Sequence, residues 1–229
     1  MRRKLIILII LLSSGLLVSA QSETVTLRNG RAVNDTLFNS RIFFLKDFVN
    51  SRITMKDGSV YNAKANIVTI DHAVAMIEDS GDTIRVSKEK DIVSFSGGGA
   101  LIYKIDGLYY QIIETNGDVS LAILKRLGFE KEKLQGAYGA SNETSSISRV
   151  TRTLYDILGG PDDIDVEMWY TYQELLFLVS KNRTYSPTKR NFERLFGKRK
   201  ADIAEFLGDN EQQLSKDENI IRLFKHLIE

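Results

Sequence analysis

Residues 101–113 read LIYKIDGLYYQII, and this stretch decides the fold class. Two runs of aliphatic and aromatic residues flank the dipeptide Asp106-Gly107, which accepts the positive φ angles of a tight hairpin turn. The pattern therefore predicts an antiparallel β-hairpin. Alternation along its first strand would place Tyr103 and Ile105 on one face.

Similar units recur from residue 24 to about 125, where short β-prone runs are separated by Asn-Gly, Asp-Gly and Ser-Gly dipeptides. Further strands are predicted over residues 53–55, 60–63, 67–70, 73–77, 83–86 and 92–95. A last strand is predicted over 119–124, although that stretch could also begin a helix. Residues 25–30 and 53–58 are weakly alike. The similarity indicates either a repeated hairpin unit or shared strand and turn chemistry.

The character of the chain changes over residues 126–166, which we interpret as a loop-rich connector. Residues 136–146 are small and polar, and apolar residues at helical spacing between Ile147 and Leu158 predict one short helix. Residues 168–172 and 175–179 are dense in aromatic and aliphatic residues, which favours strands. A helical stripe fits the same residues.

Three short helices are predicted after residue 186. Ser186 followed by Pro187 is typical of a helix start, and Gly197 and Gly208 are predicted stops. Ser215 and Glu218 have the spacing of a capping box. The sequence thus predicts an α+β fold, with an antiparallel β-hairpin-rich region over 21–125 and, in residues 167–229, strands followed by a small three-helix region.

The first 20 residues have the pattern of a secretory signal peptide. A basic start precedes an apolar run of about 14 residues, and small residues precede a predicted cleavage between Ala20 and Gln21. We expect an exported protein, periplasmic or extracellular. No cysteine follows the run, so a lipid anchor is not expected. The mature chain has no second long apolar run, so no membrane-spanning helix is expected in it.

Composition excludes several classes of function. The 229 residues include no cysteine and two histidines, which excludes thiol catalysis, cysteine-based zinc or iron–sulfur sites and multi-histidine metal centres. No cofactor is expected. The formal net charge is +1, and three of the 31 basic residues lie in the signal peptide, which leaves 28 against 30 acidic ones. That balance argues against a nucleic-acid-binding protein.

Three local motifs suggest chemistry only weakly, and no catalytic or metal-binding residue is predicted. Ser96 and the glycines 97–99 lack the lysine and helix of a phosphate loop, so a bulge or flexible linker is expected. The acidic residues between Asp162 and Glu167 lack the spacing of a calcium loop. Asp71-His72 could orient a catalytic histidine, but an exposed strand histidine is the simpler interpretation, and no nucleophile motif accompanies it.

The strongest electrostatic feature is residues 181–200, which hold eight basic residues and one acidic residue. One interpretation is a surface for an anionic ligand or an acidic partner; the other is internal neutralisation by the five acidic residues of 161–180. The candidate anion- or partner-binding residues are Lys189, Arg190, Arg194, Lys198, Arg199 and Lys200.

The chain resembles a loose group of exported β-rich proteins of Bacteroidota. The resemblance lies in the signal peptide, in Lys56-Asp-Gly58, in the small-residue loop 136–139 and in the helical tail over 192–224. These proteins carry no agreed activity. The resemblance implies export and the same layout, and it implies no catalytic residue.

The expected function is that of a non-catalytic cell-envelope protein that binds an envelope protein or an anionic surface ligand. Tyr103, Tyr109 and Tyr110, taken as exposed, offer one candidate surface and residues 181–200 another. The alternative for the three tyrosines, which the sequence favours, is that they are core residues or cross-strand pairs of a half-buried sheet. The alternatives are an envelope hydrolase that uses carboxylates and a structural component of an envelope assembly. A pocket with convergent acids would favour the hydrolase, and an unprotected strand edge would favour the assembly.

Overall fold

The structure, a computed structural model, describes residues 22–28, 31–33, 35–129, 165–208 and 210–228. The predicted signal peptide, with its Ala20–Gln21 cleavage site, lies outside these residues. So does the helix predicted over 147–158.

The described residues form a 12-stranded sheet with the order β2-β1-β11-β10-β9-β8-β7-β3-β4-β5-β6, and β12 pairs with β11. Every pairing is antiparallel. The strands are β1 Glu23–Arg28, β2 Arg31–Ala32, β3 Val49–Met55, β4 Val60–Val68, β5 Ala73–Ile77, β6 Thr83–Arg85, β7 Ile92–Gly97, β8 Ala100–Ile105, β9 Leu108–Asn116, β10 Val119–Phe129, β11 Asp165–Ser180 and β12 Arg183–Tyr185. The predicted α+β class with a β-rich N-terminal region is confirmed.

The hairpin predicted over 101–113 is present as β8 and β9. Ile105 pairs directly with Leu108, and the turn residues Asp106 and Gly107 have φ angles of +50° and +85°. Asp-Gly forms this turn because both residues tolerate the left-handed region.

The glycine run after Ser96 forms a second tight turn. Gly97 ends β7 and pairs directly with Ala100, while Gly98 and Gly99 have φ angles of +58° and +78°. The expected bulge or flexible linker is therefore wrong. The glycines make a two-residue hairpin turn, because glycine adopts positive φ angles without a steric penalty.

The two longest strands, β10 and β11, pair from Val119 and Ser180 through Phe129 and Tyr170. The stretch 119–124 is thus a strand rather than the start of a helix, and the aromatic stretch after residue 167 belongs to one continuous strand. Both strands reach into the range 126–166 that we interpreted as a connector.

The helices of the described residues are short, and four of these have α geometry: α1 Thr36–Ile42, α2 Lys189–Leu195, α3 Lys200–Leu207 and α4 Asp217–His226. Helix α1 was not predicted. Its N-cap is Asp35, whose Oδ1 accepts a hydrogen bond from the Phe38 amide at 2.8 Å. Single 3₁₀ turns lie at Glu89–Asp91, Gly197–Arg199 and Glu211–Ser215.

Two predicted helix starts are wrong: the first helix begins two residues later than predicted and the second begins one residue later. Thr188, not Ser186, caps α2, with its hydroxyl accepting from the Asn191 amide at 3.4 Å. Ser215 does not cap α4 because its hydroxyl donates to the Gln212 carbonyl of the preceding 3₁₀ turn at 2.8 Å. Gly208 ends α3 as predicted, with φ +51°.

The C-terminal helices pack on β10 and β11 around a buried apolar cluster, which we call the C-terminal core. Most of its members are aliphatic, and it includes an aromatic pair in which Phe196 lies edge-to-face with Phe224, with ring centroids 5.7 Å apart. The Asn116 side chain donates to the Leu227 carbonyl at 2.7 Å, which ties the end of β9 to the end of α4. The buried members are Val119, Leu121, Leu176, Leu178, Phe192, Phe196, Ile203, Leu207, Ile220, Leu223, Phe224 and Leu227.

The sheet curls so that the β4–β5 turn meets β9 and β10, although these strands are far apart in the sheet order. The Leu127 amide donates to the Thr69 carbonyl at 3.2 Å. Val68 and Ala75 share one buried cluster with Leu127 and Tyr170. Burial of apolar side chains between distant strands therefore holds the curl.

Candidate functional site

An open cleft lies on one face of β3, β4, β5 and β7, with a volume of about 950 Å³. Its floor consists of side chains that alternate along each strand and point to the same face of the sheet. Arg52 pairs across the sheet with Asn62 on one side and Ser96 on the other, and Asn50 pairs with Lys64. Because residues directly opposite each other point to the same face, these five polar side chains lie together.

The opposite face of the same strands is apolar and buried. Its burial sets the strand register and therefore keeps the polar side chains on the cleft face. Ile53, Ala65 and Phe95 are fully buried beneath the cleft. A register shift of one residue would exchange the two faces, so the buried residues hold the polar row in place.

One wall of the cleft is acidic. Glu78, Asp79 and Ser80 line it from the turn between β5 and β6. The turn is closed by hydrogen bonds from the Gly81 amide to the Glu78 carbonyl at 2.9 Å and from the Glu78 amide to the Asp82 carbonyl at 2.9 Å. The cleft thus presents cations on its floor and carboxylates on its wall.

The polar side chains of the floor are unengaged. Within the described part of the chain, Asn50, Arg52, Asn62 and Lys64 make no side-chain hydrogen bond or ion pair. All four are exposed. Their donors and acceptors are therefore available to a ligand.

Gly97 lets β7 approach β3 beside the cleft. A Cβ atom at this position would lie 2.5 Å from the Ser51 hydroxyl oxygen and 3.0 Å from the Asn50 carbonyl oxygen. Both contacts are too close for a carbon atom, so a larger residue would force the strands apart. Ser51 and Ser96, which line the cleft, would shift with them.

A second polar group combines two buried residues, His72 and Tyr109, with two partly buried ones, Glu89 and Lys104, and we call it the polar seam. Glu89 accepts hydrogen bonds from the Lys104 ammonium and the Tyr109 hydroxyl, both at 2.6 Å, and from the Val74 amide at 2.8 Å. Burial, and then the nearby Glu89 carboxylate, raise the pKa of the Tyr109 hydroxyl.

His72 differs from its prediction. It lies in the β4–β5 turn with φ +52° and is 5% exposed, so it is not an exposed strand histidine. Its Nδ1 accepts from the Tyr109 amide at 3.3 Å, which places the proton of the neutral ring on Nε2. Burial lowers the pKa of His72 to about 4, with Arg126 and Lys104 adding to the shift and Asp71 opposing it.

Asp71 does not orient His72. Its carboxylate forms an ion pair with Arg85. Nε2 of His72 is buried and has no hydrogen-bond partner among the described residues. The histidine therefore joins the β4–β5 turn to β9, and the suspected catalytic pair is not formed.

The structure supports the core and cross-strand interpretation of the three tyrosines rather than the exposed aromatic surface, and Tyr103 pairs across the sheet with Tyr110. Tyr109 is fully buried and Tyr110 is 4% exposed, whereas Tyr103 is 39% exposed. Tyr110 packs on the face opposite Tyr109, edge-to-face with Phe177 at 5.5 Å. Both faces of the sheet are covered at β9, which alternation alone does not reveal.

The predicted basic residues have different surroundings. Arg199 forms an ion pair with Asp202 and donates to the Leu227 and His226 carbonyls at 3.2 and 3.3 Å, so it joins α3 to the end of α4. Arg194 lies over the Tyr185 ring at 5.2 Å. Arg190, Lys198 and Lys200 are exposed, and Lys189 is half-buried.

The acidic residues between Asp162 and Glu167 do not form a metal site within the described part of the chain. Asp162 and Asp163 lie outside the described residues, and Asp165 and Glu167 belong to β11. The described part of the chain holds no group of three metal-ligating side chains. It also holds no helix long and apolar enough to span a membrane.

Sequence reasoning missed the cleft residues. The signal was present as polar residues at alternate positions: Asn50 and Arg52 in β3, and Asn62 and Lys64 in β4. Such alternation is also typical of any solvated sheet face, and the sequence does not say that the rows of two strands are adjacent.

Comparisons with protein families, with curated proteins and with solved structures find no match to this chain. The candidate site therefore rests on the geometry of this structure.

Proposed function

We propose that this chain is an exported, non-catalytic binding protein of the cell envelope, which binds a glycan chain in the cleft of β3, β4, β5 and β7. The observation that carries the proposal is the unengaged floor of Asn50, Arg52, Asn62 and Lys64 facing the acidic wall. Export is supported by the signal-peptide pattern of the first 20 residues.

The mixture of groups favours a polyhydroxylated ligand. A hydroxyl both donates and accepts hydrogen bonds, so a sugar needs donors and acceptors on the same surface. Arg52 and Lys64 donate, Glu78 and Asp79 accept, and Asn50 and Asn62 do both. A purely anionic ligand would instead meet repulsion from the acidic wall.

The shape of the site agrees with a chain-like ligand. The cleft is open to solvent and is lined by residues of four strands. A polymer can lie in such a cleft without threading.

The experiment measures binding of the chain from Gln21 to Glu229 to immobilised polysaccharides, one neutral and one carboxylated, at low and high salt. The double variant Arg52→Ala/Lys64→Ala should weaken binding about tenfold or more, because several hydrogen bonds are lost. The matched control Lys198→Ala/Lys200→Ala removes the same charge from the basic segment. It should bind as the unaltered protein does.

Other outcomes would contradict a glycan site in the cleft. Loss of binding in the control alone would assign the ligand site to residues 181–200. No binding to either polysaccharide, or equal binding by the cleft variant, would refute the cleft as a glycan site. Because all four substituted residues are exposed, both variants should unfold within about 0.5 kcal/mol of the unaltered protein.

A second candidate function, the carboxylate hydrolase, is favoured by one observation: Glu78 and Asp79 line the same cleft as the proposed ligand site. Glycoside hydrolysis uses two carboxylates that flank the scissile bond. The binding and hydrolase functions are separated by incubating the polysaccharide with the protein and measuring new reducing ends. Release that Glu78→Gln and Asp79→Asn abolish would establish the hydrolase.

A further inference from the structure

We infer that the free edge of β11 over residues 171–177, the β11 edge, is a docking site for an extended segment of another protein that adds to the sheet as a strand. The inference does not rest on the cleft or on its ligand. It concerns main-chain groups on a different strand of the sheet.

The β11 edge is a gap between two strands. On one side, β10 pairs with β11 continuously from Tyr170 to Ser180. On the other side, β1 pairs with residues 165–170 and β12 with residues 178–180. No strand of the described chain pairs with residues 171–177 on that side. Seven residues of β-strand span about 23 Å.

This gap lacks the protection that sheet edges normally carry. Proteins shorten their edge strands, or place lysine or proline in them, because an open edge pairs with other chains. The terminal strands here are short: β2 has two residues and β6 has three. The β11 edge is longer, contains neither lysine nor proline, and has Glu174 as its single charged residue.

Side chains along β11 indicate the chemistry of the partner strand. Trp169 and Leu175 lie on the same face by alternation and are 52% and 39% exposed, so that face offers one apolar contact just before the gap and one beside its centre. Glu174 lies on the other face with 44% of its side chain exposed, and its nearest cation, Lys125, is 4.0 Å away. An extended segment with alternate apolar residues and one central cation matches this edge.

A second copy of the chain matches less well. Two β11 edges that paired around a two-fold axis at the centre of the gap would place Glu174 opposite Glu174. Like charges directly opposite each other destabilise a strand pair. The edge therefore favours a different protein, whose strand would gain affinity from main-chain hydrogen bonds and specificity from alternate side chains.

The probe is a seven-residue peptide of alternating threonine and valine with a central lysine, labelled with a fluorophore, and the readout is anisotropy with the chain from Gln21 to Glu229. Two further peptides carry N-methyl groups on the odd or on the even amides. In an added strand, one set of amides faces β11 and the other faces solvent. We expect one methylated peptide to bind about tenfold or more weakly, and the other to bind as the parent does.

Leu175→Lys supplies the matching change in the protein, because an edge lysine opposes strand addition. Leu101→Lys is its control, since Leu101 is similarly exposed, at 41%, and lies on β8. We expect Leu175→Lys to weaken binding of the parent peptide about tenfold and Leu101→Lys to leave it unchanged.

Hydrogen exchange of the protein without peptide completes the test. Alternate amides of residues 171–177 should exchange fast, and the peptide should protect them. Protection of every amide without peptide, a dimer in sedimentation, equal loss with both methylated peptides, or no binding of the parent peptide at about 1 mM would overturn the inference.

Discussion

The C-terminal core and the polar seam stabilise the same sheet by opposite means. The C-terminal core joins three helices to β10 and β11 through apolar and aromatic side chains. The polar seam joins the β4–β5 turn to β8 and β9 through a buried histidine, a carboxylate, an ammonium group and a phenol. Apolar burial stabilises in proportion to area, whereas buried polar groups stabilise only when all their partners are in place.

Because the two regions are stabilised differently, different perturbations should lower the stability of each. The C-terminal core should be sensitive to lost volume and indifferent to pH. The polar seam should be sensitive to protonation and to loss of a single partner. Three experiments test this contrast, from the largest expected effect to the smallest.

The largest effect is expected from Phe224→Ala. Phe224 is fully buried and lies edge-to-face with Phe196. Removing the ring leaves a cavity, so the free energy of unfolding should fall by about 3–5 kcal/mol in urea denaturation. The neighbouring exposed Lys225→Ala is the control and should change stability by less than about 0.5 kcal/mol. Equal effects of the two changes would contradict a packed C-terminal core.

Acid should weaken the polar seam next most strongly. The folded chain holds the pKa of His72 at about 4, below its ordinary value of 6.5, so the unfolded state binds a proton that the folded state refuses. The contribution of His72 is therefore fully present above pH 6.5 and is lost as pH falls to 4. The shift corresponds to a loss of about 3 kcal/mol, which denaturation at several pH values would measure.

His72→Asn is the control for this titration, because asparagine tolerates the positive φ and its side-chain oxygen can accept from the Tyr109 amide. It should flatten the stability profile between pH 6.5 and 4. A profile that keeps the same slope in His72→Asn would show that other groups cause the acid sensitivity.

The smallest effect is expected from Lys104→Met. The Lys104 side chain is 10% exposed and contacts Glu89 at 2.6 Å, so its removal leaves a largely buried carboxylate without its cation. Two other donors remain on Glu89, and we expect a loss of about 2 kcal/mol in urea denaturation.

Lys56→Met is the matched control. Lys56 is 4.0 Å from Asp91 and both side chains are more than half exposed, so its loss should cost less than about 0.5 kcal/mol. A Lys104→Met variant as stable as Lys56→Met would mean that the polar seam does not depend on its ion pair.

Much of the fold was predictable because its signals are local. Asp106-Gly107 sets the φ angles of its own turn, and Ile220, Phe224 and Leu227 recur at helical spacing whatever they pack against. Helix starts were predicted less well because both Ser186 and Thr188 can cap α2. The structure uses Thr188, while the Ser186 carbonyl accepts a hydrogen bond from the Asn191 side chain.

The site was less predictable because its geometry is not local. His72 contacts the amide of Tyr109, 37 residues along the chain, and Arg52 lies in one row with Asn62 and Ser96 through two different strand pairs. Tyr110 alternates with Tyr109 as an exposed residue would, but cores on both faces bury the pair. No local pattern states how many faces of a strand are covered.

The sequence by itself determined the α+β class, the hairpin turns and the apolar stripes of the C-terminal helices, because backbone φ preferences and side-chain periodicity act within a few residues. The tertiary structure alone decided that the sheet curls, that His72 is buried and that four polar residues share one cleft. It also decided that, within the described part of the chain, seven residues of β11 have no partner strand on one side. These features depend on which strands become neighbours. Neighbouring strands are selected by how well they bury apolar side chains together in one register. This involves residues far apart in the chain, such as Glu23 and Tyr170, which pair in the sheet.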